Sequence, residues 1–481
     1  MRRASHLHPI GHDLSHSGWD RHDENPMNRN VAETRDAPAA FAESRPSQDR
    51  IDRGPRRSTN PVSSTLRIPS NGTQTPVVAQ ALALDDLAHR PVIVHCHLRW
   101  DFVWQRPQQI FSRLAEHHAV LFVEDPIHDD VGTPELRVTE PHPDVVRVVP
   151  VVPQDFERHT DAYCDVVAPM LEAALASHPL MAGRFDGALQ WFYSPMTAPA
   201  FLGRFGTTGA IYDCMDELAN FRFAPPDIGE RERHLMRHAR LVFTGGHQLY
   251  ESKSKLHGNV HFYGCGVDVA HYGRARAAET PLPPEVASLP RPILGYFGVI
   301  DERVDYDLIA RLSREFPNGS IVMVGPFAKI DPETVPRAPN IHWLGQRQYQ
   351  DLPALVKAFD VCLMPFALNE ATQFINPTKT LEYMAAGKPI VSTAVPDVLR
   401  LFVPIVDVAH DHDAFVDAAQ RAWTAPCADL LAKGIDRAER ATWEAIVAAM
   451  RGHLIDAFRP ARAASAPVGR VGASALALGE E

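Results

Sequence analysis

Short apolar runs alternate with amphipathic stretches from Arg90 onwards, in the order that repeated strand–helix units produce. Residues 92–96 form an apolar run typical of a buried parallel strand, residues 107–116 place their apolar side chains on one helix face, and residues 120–123 form the next strand. These segments predict a βαβ unit, the building block of a doubly wound sheet. Further strands are predicted at 145–152, 189–193, 210–213, 241–244 and 260–263.

A second strand–helix series follows a proline-rich break. Residues 279–292 contain five prolines and no periodicity, which predicts a linker between domains. After it, a strand at 293–298 and a helix at 306–316 open the second series. Later strands of this series are predicted at 321–324, 341–344, 361–364, 390–393 and 405–408.

The two series predict an α/β protein with two Rossmann-like domains, 86–278 and 293–425, whose doubly wound parallel sheets face a central cleft. In such folds a ligand binds outside the carboxyl ends of the strands, so the cleft is the expected site. C-terminal helices within 426–458 are long enough for one to cross back onto the first domain.

Both ends of the chain differ from its middle. Residues 1–85 are rich in Arg, Asp, Asn, Ser, Pro and His and poor in aliphatic residues, which predicts a disordered N-terminal tail. Residues 459–481, rich in Ala, Gly and Ser, are predicted to form a flexible tail as well.

Charge and cysteine content indicate which partners the protein binds and in which compartment it works. The net charge of −11 argues against general nucleic-acid binding, because little would neutralise a run of phosphates. The six cysteines lie far apart and are interpreted as free thiols in a reducing compartment. No apolar run approaches the ~20 residues that span a bilayer, and the N-terminus lacks the apolar core of a signal peptide. We expect a cytoplasmic protein; the tail's Arg residues raise peripheral association with the inner membrane face as an alternative.

The most informative segment is residues 376–392. Asn376 is a strong N-cap residue and Pro377 suits the first helical position, while Gly387 suits the end of the helix. A helix that starts here presents free backbone N–H groups, and together with Thr378 and Lys379 these suit a phosphate. One turn further on, Glu382 can accept hydrogen bonds from two hydroxyls, as on a ribose. Phosphate plus ribose indicates a nucleotide; the alternative is an ordinary helix with a surface Lys–Glu pair.

This segment resembles the nucleotide-sugar signature of retaining glycosyltransferases with the GT-B fold, specifically glycosyltransferase family 4, also called group 1. The resemblance implies that Glu382, which precedes an Ala-Gly-Lys-Pro turn, holds the ribose of the sugar donor. Family members usually carry a second Glu eight positions earlier, near the transferred sugar, where this chain has Phe374. Asn376 or Gln373 is the expected partial substitute.

Glycine turns at strand ends extend the resemblance. Gly298 and Arg303 match the turn that approaches the donor diphosphate in this family, and Gly325 and Gly345 match the loops beside the nucleobase. Simple strand-end turns are the alternative for each glycine.

Three carboxylates lie within five residues at the end of the strand at 210–213, and two of them, Asp213 and Asp216, are candidate ligands for hydroxyls of the transferred sugar. With Arg303 they make up the predicted catalytic set. An N-cap at Asp216 and a metal site made by the Asp pair are the alternatives. The family generally works without a bound metal, so we expect neither metal nor cofactor.

The loop after the first strand carries Trp, Arg and Asp side chains suited to carbohydrate. The predicted acceptor-binding residues are His97, Arg99, Trp100, Asp101 and Arg106, with a hydrophobic plug as the alternative. The string from His97 to Gln108 resembles a subgroup of bacterial family 4 members associated with cell-surface polysaccharide genes, and the resemblance covers residues 90–425.

The resemblance implies a metal-independent enzyme that moves a sugar, with retention, from a nucleotide-diphosphate sugar to a carbohydrate or lipid-linked acceptor. Two other classes stay open. A non-catalytic or regulatory sugar-nucleotide binding protein is suggested by Phe374, and a GT-B sugar epimerase also places carboxylates beside the donor.

Overall fold

The computed structural model describes residues 64–66, 87–157, 159–221 and 224–459. The predictions for the two tails therefore fall almost entirely outside the described residues. Ser64–Leu66 is an exception to the disorder predicted for residues 1–85, because its backbone forms a strand.

A ten-stranded sheet forms the first half of the described chain, in the order β1-β5-β6-β3-β2-β7-β8-β9-β10 with β4 paired to β6. Seven of its strands make a parallel, doubly wound series that starts in the middle at β2. The strands are β1 Ser64–Leu66, β2 Val92–Cys96, β3 Val120–Glu124, β4 Ile127–Asp129, β5 Glu135–His142, β6 Val145–Pro153, β7 Leu189–Phe192, β8 Gly209–Cys214, β9 Ala239–Thr244 and β10 Val260–Phe262.

One edge of this sheet departs from the predicted parallel arrangement. Strand β5, which the sequence analysis did not identify, pairs antiparallel with both β6 and β1. Its apolar residues Leu136 and Val138 alternate with polar ones and are fully buried, as expected for a strand with one face on the core. An antiparallel edge on an otherwise parallel sheet is common in folds of this class.

A six-stranded, all-parallel sheet forms the second half, in the order β13-β12-β11-β14-β15-β16. In chain order this is 3-2-1-4-5-6, the Rossmann order, so the prediction of a Rossmann-like second domain agrees with the structure. Strand β11 is buried at every position, because helices cover both faces of the sheet. The strands are β11 Ile293–Phe297, β12 Ser320–Val324, β13 Ile341–Trp343, β14 Val361–Met364, β15 Ile390–Thr393 and β16 Asp407–Ala409.

Helices pack on both sheets, and the predicted linker contains a short one. The helices of the described residues are α1 Arg106–Leu114, α2 Thr160–Ser177, α3 Ala198–Phe201, α4 Ile228–His238, α5 His247–Lys253, α6 Val269–Gly273, α7 Pro284–Ala287, α8 Tyr306–Glu315, α9 Leu352–Ala358, α10 Lys379–Ala385, α11 Pro396–Phe402, α12 His412–Thr424, α13 Ala428–Glu439 and α14 Trp443–Phe458. No helix among the described residues is both long and apolar enough to cross a bilayer.

The last helix, α14, crosses back onto the first half. It buries one stripe of side chains in the same apolar cluster as strands β2 and β3, namely Trp443, Val447, Met450, Leu454 and Phe458. The residues predicted to form C-terminal helices, 426–458, form α13 and α14, and Thr442 caps α14 by accepting a hydrogen bond from the Ala445 amide at 3.2 Å.

The carboxyl ends of the central strands of both sheets face one cleft. Its walls touch directly: the Gln346 side chain donates to the Phe102 carbonyl at 2.6 Å, and the Gln109 side chain to the Tyr349 hydroxyl at 3.2 Å. Residues predicted from different segments are therefore neighbours across this cleft.

Candidate functional site

A cavity of about 360 Å³ lies in the cleft, within the size range of small-molecule sites. The second half contributes most of its wall, including Gly298, Gly325, Lys379 and Glu382. The loop after β2 contributes most of the rest, together with Pro141 and Tyr272. Other lining residues are Trp100, Asp101, Trp104, Phe297 and Tyr349.

The helix that carries Lys379 and Glu382 starts later than predicted. Helix α10 begins at Lys379 with Thr378 as its N-cap, so the N-cap prediction for Asn376 is wrong. The Asn376 side chain instead donates to Asp397 at 3.3 Å, and its carbonyl accepts from the Cys265 thiol at 3.1 Å. The end of the helix agrees with the prediction, because Gly387 has the left-handed φ of +69° that a helix terminus of this type needs.

Glu382 has the surroundings of a ligand-binding carboxylate. Its side chain lines the cavity, yet its Oε2 atom has no hydrogen-bond partner among the described residues. Burial raises the pKa of Glu382, while Lys379 and a hydrogen bond from Tyr272 act in the opposite direction. An acceptor oxygen left unpaired in a buried site suits a hydroxyl donor from a ligand.

Glu382→Gln is therefore expected to weaken binding of a nucleotide-sugar donor by about 10- to 100-fold. A hydrogen bond to a charged group is worth about 1.5–3 kcal/mol, and glutamine keeps the size of the side chain while losing its charge. Titration calorimetry with the best-bound donor measures the effect, and the exposed Glu439→Gln variant is the control. An unchanged dissociation constant in a folded Glu382→Gln protein would contradict the ribose assignment.

Two glycine turns form the wall opposite α10. Gly298 and Gly325 have φ values of +155° and +150°, which side-chain-bearing residues rarely adopt. A Cβ atom on Gly325 would lie 1.7 Å from the Gly298 carbonyl oxygen. The two turns therefore touch each other, which requires glycine at 325, whereas a Cβ atom on Gly298 would lie 2.5 Å from the Tyr296 hydroxyl oxygen. Gly345 has φ +67° and its carbonyl accepts from the Gly325 amide, but it does not line the cavity.

A cluster of four charged side chains lies beside the cavity: Asp216, Asp301, Arg303 and Lys329. Arg303 donates from Nε and Nη2 to Asp301, at 3.0 and 2.6 Å. Burial raises the pKa of Asp216, and the nearby charge of Arg303 acts in the opposite direction. Asp216 and Arg303 were predicted as members of one site, and the structure brings them together across the cleft.

Lys329 is a member of this cluster that the sequence analysis missed. Its ammonium group lies 4.9 Å from the ring centre of Phe221, and the guanidinium carbon of Arg303 lies 5.8 Å from the same ring. The available signal was the position of Lys329 five residues after the end of β12, at the edge where ligands bind.

The thiol of Cys265 shows that the cluster and the cavity are neighbours. Burial raises its pKa to about 12, and charges of the cavity residues Glu382 and Lys379, of the cluster residue Asp216 and of Arg106 act on it. Asp216, Glu382 and Lys379 are therefore all close to this thiol.

Asp213 and Arg106 do not face the cavity. They form a buried ion pair with Nη2 and Oδ1 at 3.0 Å, and their side chains are 0% and 3% exposed. Arg106 also donates to the Tyr263 carbonyl at 2.7 Å. The predictions of Asp213 as a sugar ligand and Arg106 as an acceptor ligand are corrected, because the two side chains pair with each other in the protein interior.

A second buried ion group supports the loop that carries Asp216. The Lys253 ammonium, 2% exposed, lies 2.9 Å from Glu217 and 2.7 Å from Glu232. Glu217 follows Asp216 directly, so this lysine fixes the position of the loop from below.

The other predicted acceptor residues are divided among different roles. Arg99 pairs with Glu124 at 3.2 Å and donates to the Pro126 carbonyl, so it holds its own loop rather than a ligand. Trp100 is buried, but both it and the exposed Asp101 line the same cavity as Glu382. His97 is half-buried; burial, with Lys329 nearby, lowers its pKa to about 4, so its imidazole is neutral at pH 7.

No three His, Cys, Asp or Glu side chains in the described ranges are arranged to hold a metal ion. The expectation that the protein uses no metal stays a prediction.

Comparison with known families accounts for this geometry. Residues 291–425, which hold Gly298, Arg303, Lys379 and Glu382, match the family model described as glycosyl transferases group 1. This domain is therefore similar to the group 1 glycosyltransferases. A relative named "Putative teichuronic acid biosynthesis glycosyltransferase TuaH", from Bacillus subtilis (strain 168), is 29% identical over 117 residues. That match covers 24% of this chain and only 30% of the relative's length.

Solved structures establish the fold of the chain. The sucrose-phosphate synthase from Thermosynechococcus elongatus has a TM-score of 0.56 at 17% identity, and the match covers 76% of this chain and 98% of that one. A UDP-forming trehalose-phosphate synthase from Burkholderia xenovorans has a TM-score of 0.57 at 13% identity, with 77% and 100% covered. An E. coli trehalose-6-phosphate structure bound with UDP-2-fluoro glucose gives 0.55 at 13%, with 76% and 99% covered. The predicted GT-B fold is confirmed.

Phe374 is the point where this chain departs from the family signature, and the structure gives it another use. Its side chain packs against the apolar core of the first half. Its carbonyl oxygen would lie 2.7 Å from a Cβ atom on Gly246. The first-half loop that contains Gly246 therefore also lies close to the Phe374 backbone. The position that usually carries a sugar-facing Glu here joins the two halves, whereas Gln373 is exposed and Asn376 is bonded to Asp397.

Proposed function

We propose that this protein is an enzyme that transfers a sugar from a nucleotide-diphosphate sugar to a carbohydrate or lipid-linked acceptor. The observation that carries the proposal is the cavity in which the unpaired Glu382 oxygen, the Lys379 ammonium and the Gly298 turn face one another. These groups match the parts of such a donor. The carboxylate suits the ribose, the cation suits the phosphate, and the turn without a side chain lets the donor approach the backbone closely.

The cations of the cleft would stabilise the leaving nucleoside diphosphate. Lys379 lines the cavity, and Arg303 and Lys329 lie in the adjoining cluster. As the bond to the sugar breaks, negative charge develops on the diphosphate, and fixed positive groups lower the free energy of that transition state. Asp216, across the cleft from Arg303, is the carboxylate best placed to accept hydroxyls of the transferred sugar. A retaining outcome is proposed from the family signature alone.

The biological setting is proposed from the relative and the sequence subgroup. The named relative concerns teichuronic acid biosynthesis, and the loop string from His97 to Gln108 resembles proteins associated with cell-surface polysaccharide genes. We place the reaction in the cytoplasm, where nucleotide sugars are made, with a lipid-linked acceptor at the inner membrane face as one arrangement.

Release of nucleoside diphosphate from a panel of UDP-, GDP- and ADP-sugars tests the activity. We expect slow release with at least one donor in the absence of acceptor, and faster release when a suitable polysaccharide or lipid-linked acceptor is added. A sugar-nucleotide binding protein would bind a donor without any release, and an epimerase would interconvert sugars. Either result would overturn the proposal.

Activity is expected to persist without divalent metal. Lys379, Arg303 and Lys329 supply the positive charge that a metal ion would otherwise provide at the diphosphate. The release assay in excess EDTA should give the same rate as the untreated enzyme within about twofold. Loss of activity in EDTA, with recovery on adding magnesium or manganese, would reject this expectation.

A further inference from the structure

The loop 97–105 of the first half forms a wall of the donor cavity, although the sequence assigned it to the acceptor. Trp100, Asp101 and Trp104 line the same cavity as Lys379 and Glu382. The Gln346 side chain, from the loop after β13, donates to the Phe102 carbonyl. This first-half loop therefore lies against the second-half loops that follow the glycine turns.

The loop is fixed in place from below, so its cavity-facing rings are held in defined positions. Gln108, with no exposed surface, donates to the carbonyls of Arg99, Trp100 and Val103 at 2.9, 3.1 and 3.0 Å. The Trp100 amide donates to Glu124 at 2.9 Å, and the Trp100 ring meets Phe122 edge-on at 5.1 Å. A pre-organised wall of this kind lowers the entropy cost of binding a ligand.

Trp104 lies at the end of a row of aromatic rings that crosses the cleft. Its ring centre is 5.9 Å from that of Tyr349, and Tyr349 in turn stacks on His271 at 4.0 Å with an angle of 7° between the planes. Trp100 meets Trp104 edge-on at 5.9 Å, and the half-buried Trp104 ring is part of the cavity lining. A flat ligand group in this part of the cavity would therefore meet a flat aromatic surface.

We propose that Trp104, from the half opposite the ribose and phosphate groups, stacks on the nucleobase of the donor. This inference rests on the proposed function, which assigns the ribose to Glu382. In the proposed function the Lys379 end of the cavity is the phosphate end, because the Lys379 ammonium is the cation assigned to the diphosphate. The base, joined to the other side of the ribose, then occupies the part of the cavity that Trp104 and Tyr349 line. Stacking accepts any base, so Trp104 sets donor affinity rather than base choice.

The test compares binding of UDP, GDP and ADP to the wild-type chain and to Trp104→Ala and Trp104→Phe by calorimetry. We expect Trp104→Ala to weaken binding of the preferred nucleotide by roughly tenfold, about 1.4 kcal/mol, and Trp104→Phe to lose less than threefold. Melting curves check that both variants fold. Equal affinities of wild type and Trp104→Ala would overturn the stacking while leaving the proposed function standing. A wild-type chain that binds none of the three nucleotides would overturn both.

Tryptophan fluorescence separates stacking from a structural effect. Bound nucleotide should quench the wild-type emission, and the Trp104→Phe variant should lose most of that quenching while still binding the nucleotide. Trp423→Phe is the matched control, because Trp423 packs against the core of the second half away from the cavity, and its variant should quench like the wild type. Undiminished quenching in Trp104→Phe would count against contact between this ring and the base.

Discussion

Arg303→Ala is expected to lower the kcat of sugar transfer by about 10²- to 10³-fold, the effect typical of removing one fixed donor to a developing anion. Arg303 is held by two hydrogen bonds to Asp301, so its charge is positioned before the substrate arrives. The same contacts predict that Arg303→Lys recovers little activity. A lysine ammonium cannot make the two-point contact with the Asp301 carboxylate and also direct further N–H groups at the diphosphate.

Steady-state kinetics at saturating donor measure this effect, with the melting temperature recorded for each variant. Arg311→Ala is the control, since Arg311 forms a surface ion pair with Glu315 on the far side of helix α8. A folded Arg303→Ala enzyme with a kcat within threefold of the wild type would remove Arg303 from the reaction.

Asp213→Ala is expected to destabilise the protein by about 3–5 kcal/mol, because it leaves the buried Arg106 guanidinium without its counter-charge. The effect should appear in unfolding by urea as a lower midpoint. Combining Asp213→Ala with Arg106→Leu should recover much of the lost stability, since the double variant has no unpaired buried charge.

The control for this prediction is Asp436→Ala, which removes an exposed ion pair with Arg440 and should cost at most about 1 kcal/mol. If Asp213→Ala unfolds at the same urea concentration as the control, the pair is not a structural one. Asp213 would then return to consideration as a sugar ligand.

Sequence patterns were sufficient for the second half of the fold because its signals are local. Each strand there is a short apolar run with turn residues after it, and Glu382 is recognised from the residues on either side of it. The antiparallel strand β5 was missed although Leu136 and Val138 alternate with polar residues, because the surrounding series indicated parallel strands.

The roles of charged residues could not be predicted in the same way. Asp213 and Arg106 are 107 positions apart, and each taken alone has the composition of a ligand-binding group. Only the packing of α1 against the end of β8 shows that they neutralise each other. Lys329 was missed for the converse reason, because it reaches the Arg303 cluster from a different loop.

The predicted start of helix α10 was wrong because the side chain of Asn376 bonds a residue outside the helix. Asn376 has the composition of an N-cap, but its amide is engaged by Asp397, whose Oδ2 also accepts from the His247 amide of the first half at 2.8 Å. The bond to Asp397 orients the Asn376 side chain toward that carboxylate, and the helix begins at Lys379.

A crystal structure of the chain with the nucleoside diphosphate of its preferred donor tests the central claim most directly. The account predicts ribose hydroxyls within about 3.2 Å of the Glu382 carboxylate, phosphate oxygens beside Lys379 and the Gly298 turn, and the base against Trp104. A nucleotide bound outside this cavity, or bound in it with the ribose away from Glu382, would contradict the account.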